Sequence, residues 1–266
     1  MAFIKHTKGS LSYYTDELID SLGGLDYIFT TRLGGISSGD LASLNLGTGR
    51  DDKRENILEN YKRACAAVNL DYTKCVLAKQ THTTNIRIVV KNDCGKGLTA
   101  ESDIRDTDGL ITAEQGIPLV IFYADCVPIL LFDPKKKVLA CLHGGWRGTV
   151  NGIAEKGVNI MKDTFGCGDI YAAIGPSIGS CCFETGLETA EIFNQNGFGE
   201  FIEYKKDKAF IDLWAVNESI LKNCGVKNIS IARLCTVCHC DEFFSHRGCG
   251  AATGRMALIA AMRSDL

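Results

Sequence analysis

Three residues with metal-ligating side chains stand at the ends of apolar runs that predict β-strands. The runs VLAKQTH, VIFYADC and VLACLH end in His82, Cys126 and His143. If these strands are neighbours, the three side chains converge at one rim of a sheet. Zn²⁺ accepts imidazole and thiolate, and three protein ligands leave a fourth tetrahedral position for water, as in catalytic zinc sites. The pattern is therefore compatible with a zinc centre that would activate water for attack at neutral pH.

The same three residues are compatible with two other interpretations. Cys126 could form a nucleophilic pair with His82 or His143, because an imidazole can act as the base for a thiol. A cysteine at a strand end is also commonly a small buried apolar residue with no chemical role. Strand-end spacing alone leaves all three interpretations open.

The segment HGGWRG, residues 143–148, places His143 directly before a Gly-Gly turn and a predicted helix. Free backbone N–H groups and the positive end of a helix favour an anion. Arg147 adds a planar cation that suits phosphate or carboxylate. Trp146 either packs beneath the loop, the favoured role, or stacks on a planar ring. We expect this loop to hold His143 on the metal while it faces a polar part of the substrate.

The segment CTVCHC, residues 235–240, contains a C-x-x-C pair. Such a pair can bind metal or act in redox chemistry, but no second C-x-x-C follows at zinc-ribbon spacing. Thirteen cysteines, an odd count, occur without a secretory signal, so we expect them to be mostly reduced. A structural role is therefore the preferred interpretation of this segment.

Hydrophobic periodicity predicts a mixture of strands and helices. Helices are predicted over 54–70 and 148–166, in LWAVNESILKNCG and in the C-terminal GRMALIAAMRSDL. Strands are predicted in YIFTT, on both sides of His82, before and after Cys126, and in KKVLACLH, DIYAAIG and NISIARL. Because the elements do not alternate as regular βαβ units, we expect an α/β fold of mixed α+β layers, in a single domain over 1–266.

Composition excludes several classes of function. The 266 residues carry a formal net charge of -3, which gives no basic footprint for nucleic acid. The most apolar stretch, 117–132, contains Asp125 and Pro128 and is too short to cross a bilayer comfortably. The N-terminal residues lack the apolar core of a signal peptide. We expect a cytoplasmic protein that binds neither membrane nor nucleic acid.

Several segments together resemble one known family. FTTRLGGISSG, SLNLG, KQTH, DTDGLIT, ADCVPILLFD, HGGWRGTVNGI, IGPSIGSCCFETG and FFSHRGCGAATGRMA occur in the order found in YfiH-like proteins. This family was long labelled multicopper polyphenol oxidoreductase or laccase domain, and its members are now regarded as purine nucleoside phosphorylases with adenosine deaminase activity. The resemblance spans roughly residues 25–262.

The resemblance implies a sandwich-like domain with a zinc site in a cleft, formed by His82, Cys126 and His143 as ligands and catalytic residues. It implies phosphorolysis of adenosine, inosine, guanosine and methylthioadenosine, and deamination of adenosine, by a monomer or homodimer. Copper is the less favoured metal, since five histidines are too few for multicopper oxidase centres. The main alternative is an amide hydrolase that edits peptidoglycan precursors with Cys126 or zinc. Polyphenol oxidation is less favoured.

Four further residues are candidates for contact with the substrate: Arg32, Asn45, Arg147 and Arg247. A solvated surface position is an equal alternative for Arg32 and Arg247, and capping of a turn is the preferred role of Asn45. Arg255, placed at a predicted helix start, is an additional candidate for an anion contact or an ion pair. Candidates for proton transfer or for support of the ligands are Asp108, Asp125 and Glu184. The chain departs from the family at SHRGCG, where a Tyr-Arg-Arg segment is usual, and at Phe183, where a tyrosine is usual.

Overall fold

Fifteen β-strands and seven α-helices occur in residues 2–264, the part of the chain that this computed structural model describes. The strands are β1 (Phe3–Lys8), β2 (Leu11–Asp16), β3 (Leu25–Thr30), β4 (Val76–Leu77), β5 (Ile86–Ile88), β6 (Gly109–Thr112), β7 (Leu119–Tyr123), β8 (Val127–Asp133), β9 (Val138–Gly144), β10 (Tyr171–Ile174), β11 (Glu184–Thr185), β12 (Ile202–Lys205), β13 (Lys208–Ile211), β14 (Asn228–Ile231) and β15 (Met256–Met262). The helices are α1 (Glu17–Leu22), α2 (Arg54–Ala67), α3 (Trp146–Val150), α4 (Ile153–Phe165), α5 (Leu187–Gln195), α6 (Leu213–Asn223) and α7 (His246–Cys249).

Two six-stranded sheets form the centre of the molecule. The first has the strand order β1-β2-β3-β15-β7-β4, and the second has the order β14-β10-β8-β9-β6-β5. A small third sheet, β11-β13-β12, joins the edge of this core. The predicted mixture of α and β layers in one compact domain is confirmed.

The central strands β8, β9 and β15 are buried on both faces, which explains their continuous apolar sequences. Within β8, Leu130 and Phe132 pack into the core shared with the first sheet, whereas Ile129 and Leu131 pack with α4 and α6. Helix α2 covers the outer face of the first sheet through residues such as Tyr61. The order of layers is therefore helix, sheet, sheet, helix.

Two predicted helices differ from the structure. The segment 148–166 is interrupted between α3 and α4 at Gly152, whose φ of 78° breaks the helix, although the predicted end at Gly166 is confirmed. The C-terminal helix is wrong: Met256–Met262 is strand β15, paired with both β3 and β7. A central strand buried on both faces lacks alternation, so its apolar run resembles a buried helix. Arg255 consequently precedes a strand, not a helix.

The remaining helices agree with the patterns in the sequence. Helix α2 begins at Arg54 and ends at Ala67, close to the predicted 54–70, and α6 covers the predicted LWAVNESILKN segment. Helix α2 has 14 residues. Within residues 2–264, every helix is too short or too polar to span a membrane.

The topology brings three chain segments to one rim of the two sheets. The connections β4–β5 and β7–β8 each carry the chain from the first sheet to the second, and they contain His82 and Cys126. His143 lies in β9, opposite Pro128 of β8. Because Cys126 directly precedes β8, this register places it beside the end of β9.

Candidate active site

His82, Cys126 and His143, here called the imidazole–thiol cluster, converge as their strand-end positions predicted. Their ligating atoms all lie within 4.8 Å of one another, and Cys126 Sγ is 3.9 Å from His82 Nε2. The two imidazole rings meet edge to face, with centroids 5.1 Å apart. His143 is buried, Cys126 is half-buried and His82 is exposed, so the cluster is reachable from solvent on one side.

The donor set of this cluster fits Zn²⁺. When one sulfur and one nitrogen bind Zn²⁺ at the usual lengths in a tetrahedral site, these two atoms lie about 3.6 Å apart, close to the observed sulfur–nitrogen distance. Gly145 permits this approach: a Cβ there would lie 2.8 Å from His82 Cδ2 and 3.3 Å from Cys126 Sγ. Position 145 therefore requires a glycine, because a side chain there would collide with the cluster.

Asp108 orients the cluster from behind. Its Oδ1 lies 2.8 Å from His143 Nδ1, which leaves Nε2 as the free ring nitrogen. The same carboxylate accepts the backbone N–H groups of Thr81, His82 and Thr83 at 2.8–3.1 Å. A carboxylate that fixes both the ring of one ligand and the backbone of another is a common support in metal sites. The sequence indicated Asp108 only as one of three candidates for proton transfer or for support of the ligands. Its contact with His143 depends on the pairing of β6 with β9, which no local pattern shows.

The cluster also controls the charges of its members. Burial raises the pKa of Cys126, but the charge and hydrogen bonds of His143, together with His82, outweigh it and lower the value to about 6. Burial lowers the pKa of His143, but the Cys126 thiolate and the Asp108 carboxylate raise it to about 9. Burial raises the pKa of Asp108, yet hydrogen bonds from His143 and Thr83 bring it to about 2. At neutral pH the arrangement favours a thiolate, the form of cysteine that binds metal or attacks an electrophile.

Asp125, the residue before Cys126, has an unusual backbone. Its φ of 90° is rare for a residue with a side chain, and such conformations persist where surrounding contacts enforce them. Here Thr236 Oγ1 donates to Oδ1 and the Arg247 backbone N–H donates to Oδ2, each at 2.7 Å. The carboxylate therefore fixes the turn that presents Cys126.

The cluster forms part of a cavity of about 780 Å³, large enough for a nucleoside-sized molecule. Aromatic side chains of Phe122, Tyr123, Trp146 and Phe183 contribute to its wall. Flat apolar walls of this kind suit a planar heterocycle. Phe183 contributes its ring to the wall without a hydroxyl group.

Cationic side chains also line this cavity: Arg50, Lys79, Arg105, Arg247 and Arg255. In the described part of the chain, residues 2–264, none of the five forms an ion pair. Arg50 and Arg255 donate to backbone carbonyls of residues 251, 253 and 254, which fixes their position without neutralising their charge. The cavity therefore presents a positive field suited to an anion such as phosphate.

The predicted substrate contacts lie in different places. Arg247 lines the cavity and belongs to α7, whereas the lining described for residues 2–264 does not include Arg32, Asn45 or Arg147. Arg32 donates to the carbonyls of residues 42 and 240. Arg147 is exposed and stacks on Trp146 at 4.2 Å. Direct substrate contact by these residues stays a prediction.

Asn45 is buried and links two parts of the cavity wall. Its Oδ1 accepts the backbone N–H groups of Gly47 and Arg255, each at 3.0 Å. Its Nδ2 donates to Asp52. No pattern in the sequence connects Asn45 with Arg255, because the two residues are far apart along the chain. The expected ion pair of Arg255 is absent from residues 2–264.

Other residues of the cavity were missed by sequence reasoning. Arg50 lies in the connection before α2, Lys79 between β4 and β5, and Arg105 between β5 and β6, and no local motif marks them as cavity residues. Glu184, a candidate for proton transfer, lies in β11 and forms an ion pair with Lys208 at 2.8 Å. A signal was available only for Arg50, which follows the Gly-Thr-Gly turn at 47–49.

Comparison with known proteins identifies the class to which this fold and site belong. A family model described as multi-copper polyphenol oxidoreductase laccase matches residues 26–263. The crystal structure of YlmD from Geobacillus stearothermophilus superposes with a TM-score of 0.90 at 31% identity, covering 98% of this chain and 100% of that one.

Two relatives show how members of this class are named. A purine nucleoside phosphorylase of Bacteroides thetaiotaomicron is 37% identical, with 96% of this chain and 97% of that protein covered. The adenosine deaminase RL5, from an unknown prokaryotic organism, is 32% identical, with 88% of this chain and 93% of that protein covered. The chain belongs to the multi-copper polyphenol oxidoreductase laccase family, whose members include the YfiH and YlmD proteins. Both relatives are named as enzymes that act on purine nucleosides.

Proposed function

We propose that the protein is a purine nucleoside phosphorylase with zinc-dependent adenosine deaminase activity, in which residues 1–266 form a single catalytic domain. The observation that carries the proposal is one cavity containing the imidazole–thiol cluster, aromatic walls and five cations that form no ion pair within residues 2–264. A purine, a ribose and a phosphate differ in charge and polarity, and the cavity offers a matching surface for each. The partners are small molecules, and the expected assembly is a monomer or homodimer.

His82, Cys126 and His143 would hold the zinc ion. A bound Zn²⁺ polarises an oxygen ligand and lowers the pKa of water to about 7. Asp108 keeps His143 in the tautomer whose Nε2 faces the ion, and it holds the backbone of His82 in place. Copper is the less favoured alternative: the family description names it, but a multicopper centre needs more histidines than the two that this cluster contains.

For phosphorolysis, a phosphate oxygen attacks C1′ of the ribose, the C1′–N9 bond breaks, and the purine leaves with that electron pair and takes up a proton. Arg247 and Arg255 would orient the phosphate, because their guanidinium groups provide directional donors. Lys79 and Arg105 would balance the charge of the anion at the rim. Positioning and electrostatic stabilisation are the main contributions a protein makes to such a step.

For deamination, a water oxygen bonds to C6 of adenosine, one water proton passes to N1 and the other to N6, and the C6–N6 bond breaks so that N6 leaves as ammonia. Phe122, Trp146 and Phe183 would hold the purine ring and exclude bulk water. Cys126 and His143 would fix the position of the reacting water relative to C6. Asp108 and Asp125 already hold several hydrogen bonds, so positioning of the site is the role we assign to them.

The test is an adenosine assay followed by chromatography, with and without phosphate, on the wild type and on Cys126→Ala. Zinc is measured on the same samples. We expect adenine and ribose 1-phosphate when phosphate is present, and inosine in its absence, with both products lost in the variant together with one equivalent of zinc. A zinc-loaded wild type that forms no purine product would refute the proposed function.

The second candidate function is an amide hydrolase that acts on peptidoglycan precursors. The polar contacts of Cys126 favour it. Its thiol lies between two imidazoles and has a lowered pKa of about 6, as a nucleophile requires. This reading predicts a covalent adduct on Cys126 and activity that survives a chelator. Polyphenol oxidation has no comparable support, since the described residues bring two histidines to the cluster.

A further inference from the structure

A second group of sulfur atoms lies outside the imidazole–thiol cluster. Cys181, Cys182, Cys235 and Cys238, here called the four-cysteine cluster, have all their Sγ atoms within 4.8 Å of one another. They come from two turns that follow the parallel strands β10 and β14, joined by a bridge between Ser177 and Cys235. Because parallel strands end at the same edge of a sheet, these turns meet there.

The spacing of the sulfur atoms matches one tetrahedral ion. Cys238 Sγ lies 3.6 Å from Cys181 Sγ and 3.5 Å from Cys182 Sγ. Four sulfurs bonded to Zn²⁺ at the usual length form a tetrahedron with edges of about 3.8 Å. We propose that the four-cysteine cluster is a second metal site, which holds Zn²⁺ as a closed tetrathiolate with a structural role.

The chemistry of the donors supports zinc at this position. Four thiolates and no oxygen or nitrogen donor select a soft or borderline ion, and a full set of four ligands leaves no position for substrate. Gly179 donates its backbone N–H to Cys235 Sγ at 3.3 Å. Hydrogen bonds to a sulfur stabilise its thiolate form, a usual support for a metal ligand. Binding releases the thiol protons to solvent.

The position of the four-cysteine cluster explains what the ion would do. Thr236, between two of the cysteines, donates to Asp125, which fixes the turn before Cys126. Phe183 directly follows Cys182 and lines the cavity. Arg247 donates to the carbonyls of Cys182 and Glu184. The ion would therefore tie together the two segments that form one wall of the cavity.

The test uses Cys126→Ala as the background, so that the imidazole–thiol cluster lacks its sulfur ligand. The reduced, chelator-stripped protein is titrated with Zn²⁺ and analysed for bound metal, and separately with Co²⁺ for the sulfur-to-metal charge-transfer band. We expect one equivalent of tightly bound zinc, the intense absorption of a tetrathiolate, and a higher Tm for the loaded protein than for the stripped one.

Matched variants locate the ion. Adding Cys238→Ser or Cys182→Ser should abolish the cobalt band, whereas Cys240→Ser, an exposed cysteine two residues from Cys238, should keep it. The exposed Cys181 and Cys238 provide variants that are expected to fold even if the buried Cys235→Ser variant does not. Circular dichroism checks the fold of each.

Three results would overturn the assignment. The first is a folded Cys126→Ala protein that takes up no thiolate-bound metal. The second is a disulfide between Cys182 and Cys238 in freshly purified protein, found by alkylation and mass spectrometry. The third is resident iron in place of zinc. None of these readouts measures purine turnover, so a failure of the proposed function leaves this result unaffected.

Discussion

The imidazole–thiol cluster and the four-cysteine cluster are connected through Asp125, yet they are built differently. The first combines two imidazoles with one sulfur, has a carboxylate behind it, and opens into the cavity. The second consists of four sulfurs from two turns, one of which accepts the Gly179 backbone N–H. Three protein ligands would leave room on an ion for a reacting molecule, whereas four thiolates would close the coordination sphere. In the two proposed sites, the number of ligands thus separates the chemical role from the structural one.

The largest contrast is expected from removing one sulfur in each cluster. Cys126→Ala should lower both activities by at least about 1000-fold, since metal activation accounts for several kcal/mol of the barrier. Cys238→Ser should lower Tm and leave kcat within about tenfold, because structural zinc contributes to folding. Enzyme kinetics and thermal unfolding of the same preparations measure both effects. Equal losses of activity, with Tm unchanged in Cys238→Ser, would remove the distinction.

Asp108→Asn tests the role of the carboxylate that supports the imidazole–thiol cluster, a feature that the four-cysteine cluster lacks. The amide cannot accept every donor that now bonds Asp108, so His143 and the backbone of His82 lose their orientation. Loss of such a support typically costs about 10–100-fold in metal affinity or activity. Metal titration and steady-state kinetics measure this. Asp106→Asn, an exposed neighbour, is the matched control and should behave as wild type; similar losses in both variants would contradict the assignment.

Arg247→Met separates the two activities within the cavity. Removing the guanidinium should raise KM for phosphate about tenfold, the effect of one charge-assisted hydrogen bond, while deamination continues. Arg147→Met removes an arginine outside the described cavity lining and serves as the control. The rate of phosphorolysis, measured against phosphate concentration, gives this KM for both variants. An unchanged KM in Arg247→Met would move the phosphate site to the other cations.

The smallest effect on activity is expected at Asp133, remote from both clusters. Burial raises its pKa, but backbone N–H groups of Lys136, Asp169, Gly168 and Lys135 bond the carboxylate and lower the pKa overall. A lowered folded-state pKa means that the stabilisation is complete above the ordinary carboxyl pKa of about 3.9 and is lost as pH falls through the folded value.

Asp133→Asn should therefore reduce the free energy of unfolding by about 1–3 kcal/mol at neutral pH, with little change in kcat. The difference from wild type should shrink in acid. Denaturant unfolding at several pH values measures it, and a difference that stays constant down to acid pH would contradict the role of the carboxylate.

The sequence predicted the imidazole–thiol cluster because each ligand ends an apolar run, and strand ends meet at a rim. It predicted the fold class because strands and helices are mixed without regular βαβ alternation. It failed at β15, where burial on both faces removes the alternation that distinguishes a strand from a helix. Local patterns thus succeed where one residue marks the end of an element, and fail where two faces share the same environment.

Other parts of the site depend on tertiary contacts that no local pattern encodes. The C-x-x-C pair Cys235 and Cys238 was recognised, but its partners are adjacent cysteines, Cys181 and Cys182, from a distant turn. The cations of the cavity come from separate connections and resemble ordinary surface residues in the sequence. Their common location follows from the packing of the two sheets.

The two connections that pass from one sheet to the other have a mechanical consequence. His82 and Cys126 lie on these connections, and His143 belongs to the second sheet. An ion shared by all three would act as a cross-link between the layers of the sandwich. Sliding of one layer against the other would then strain the coordination bonds, so that resistance to shear and integrity of the reaction centre depend on the same three side chains.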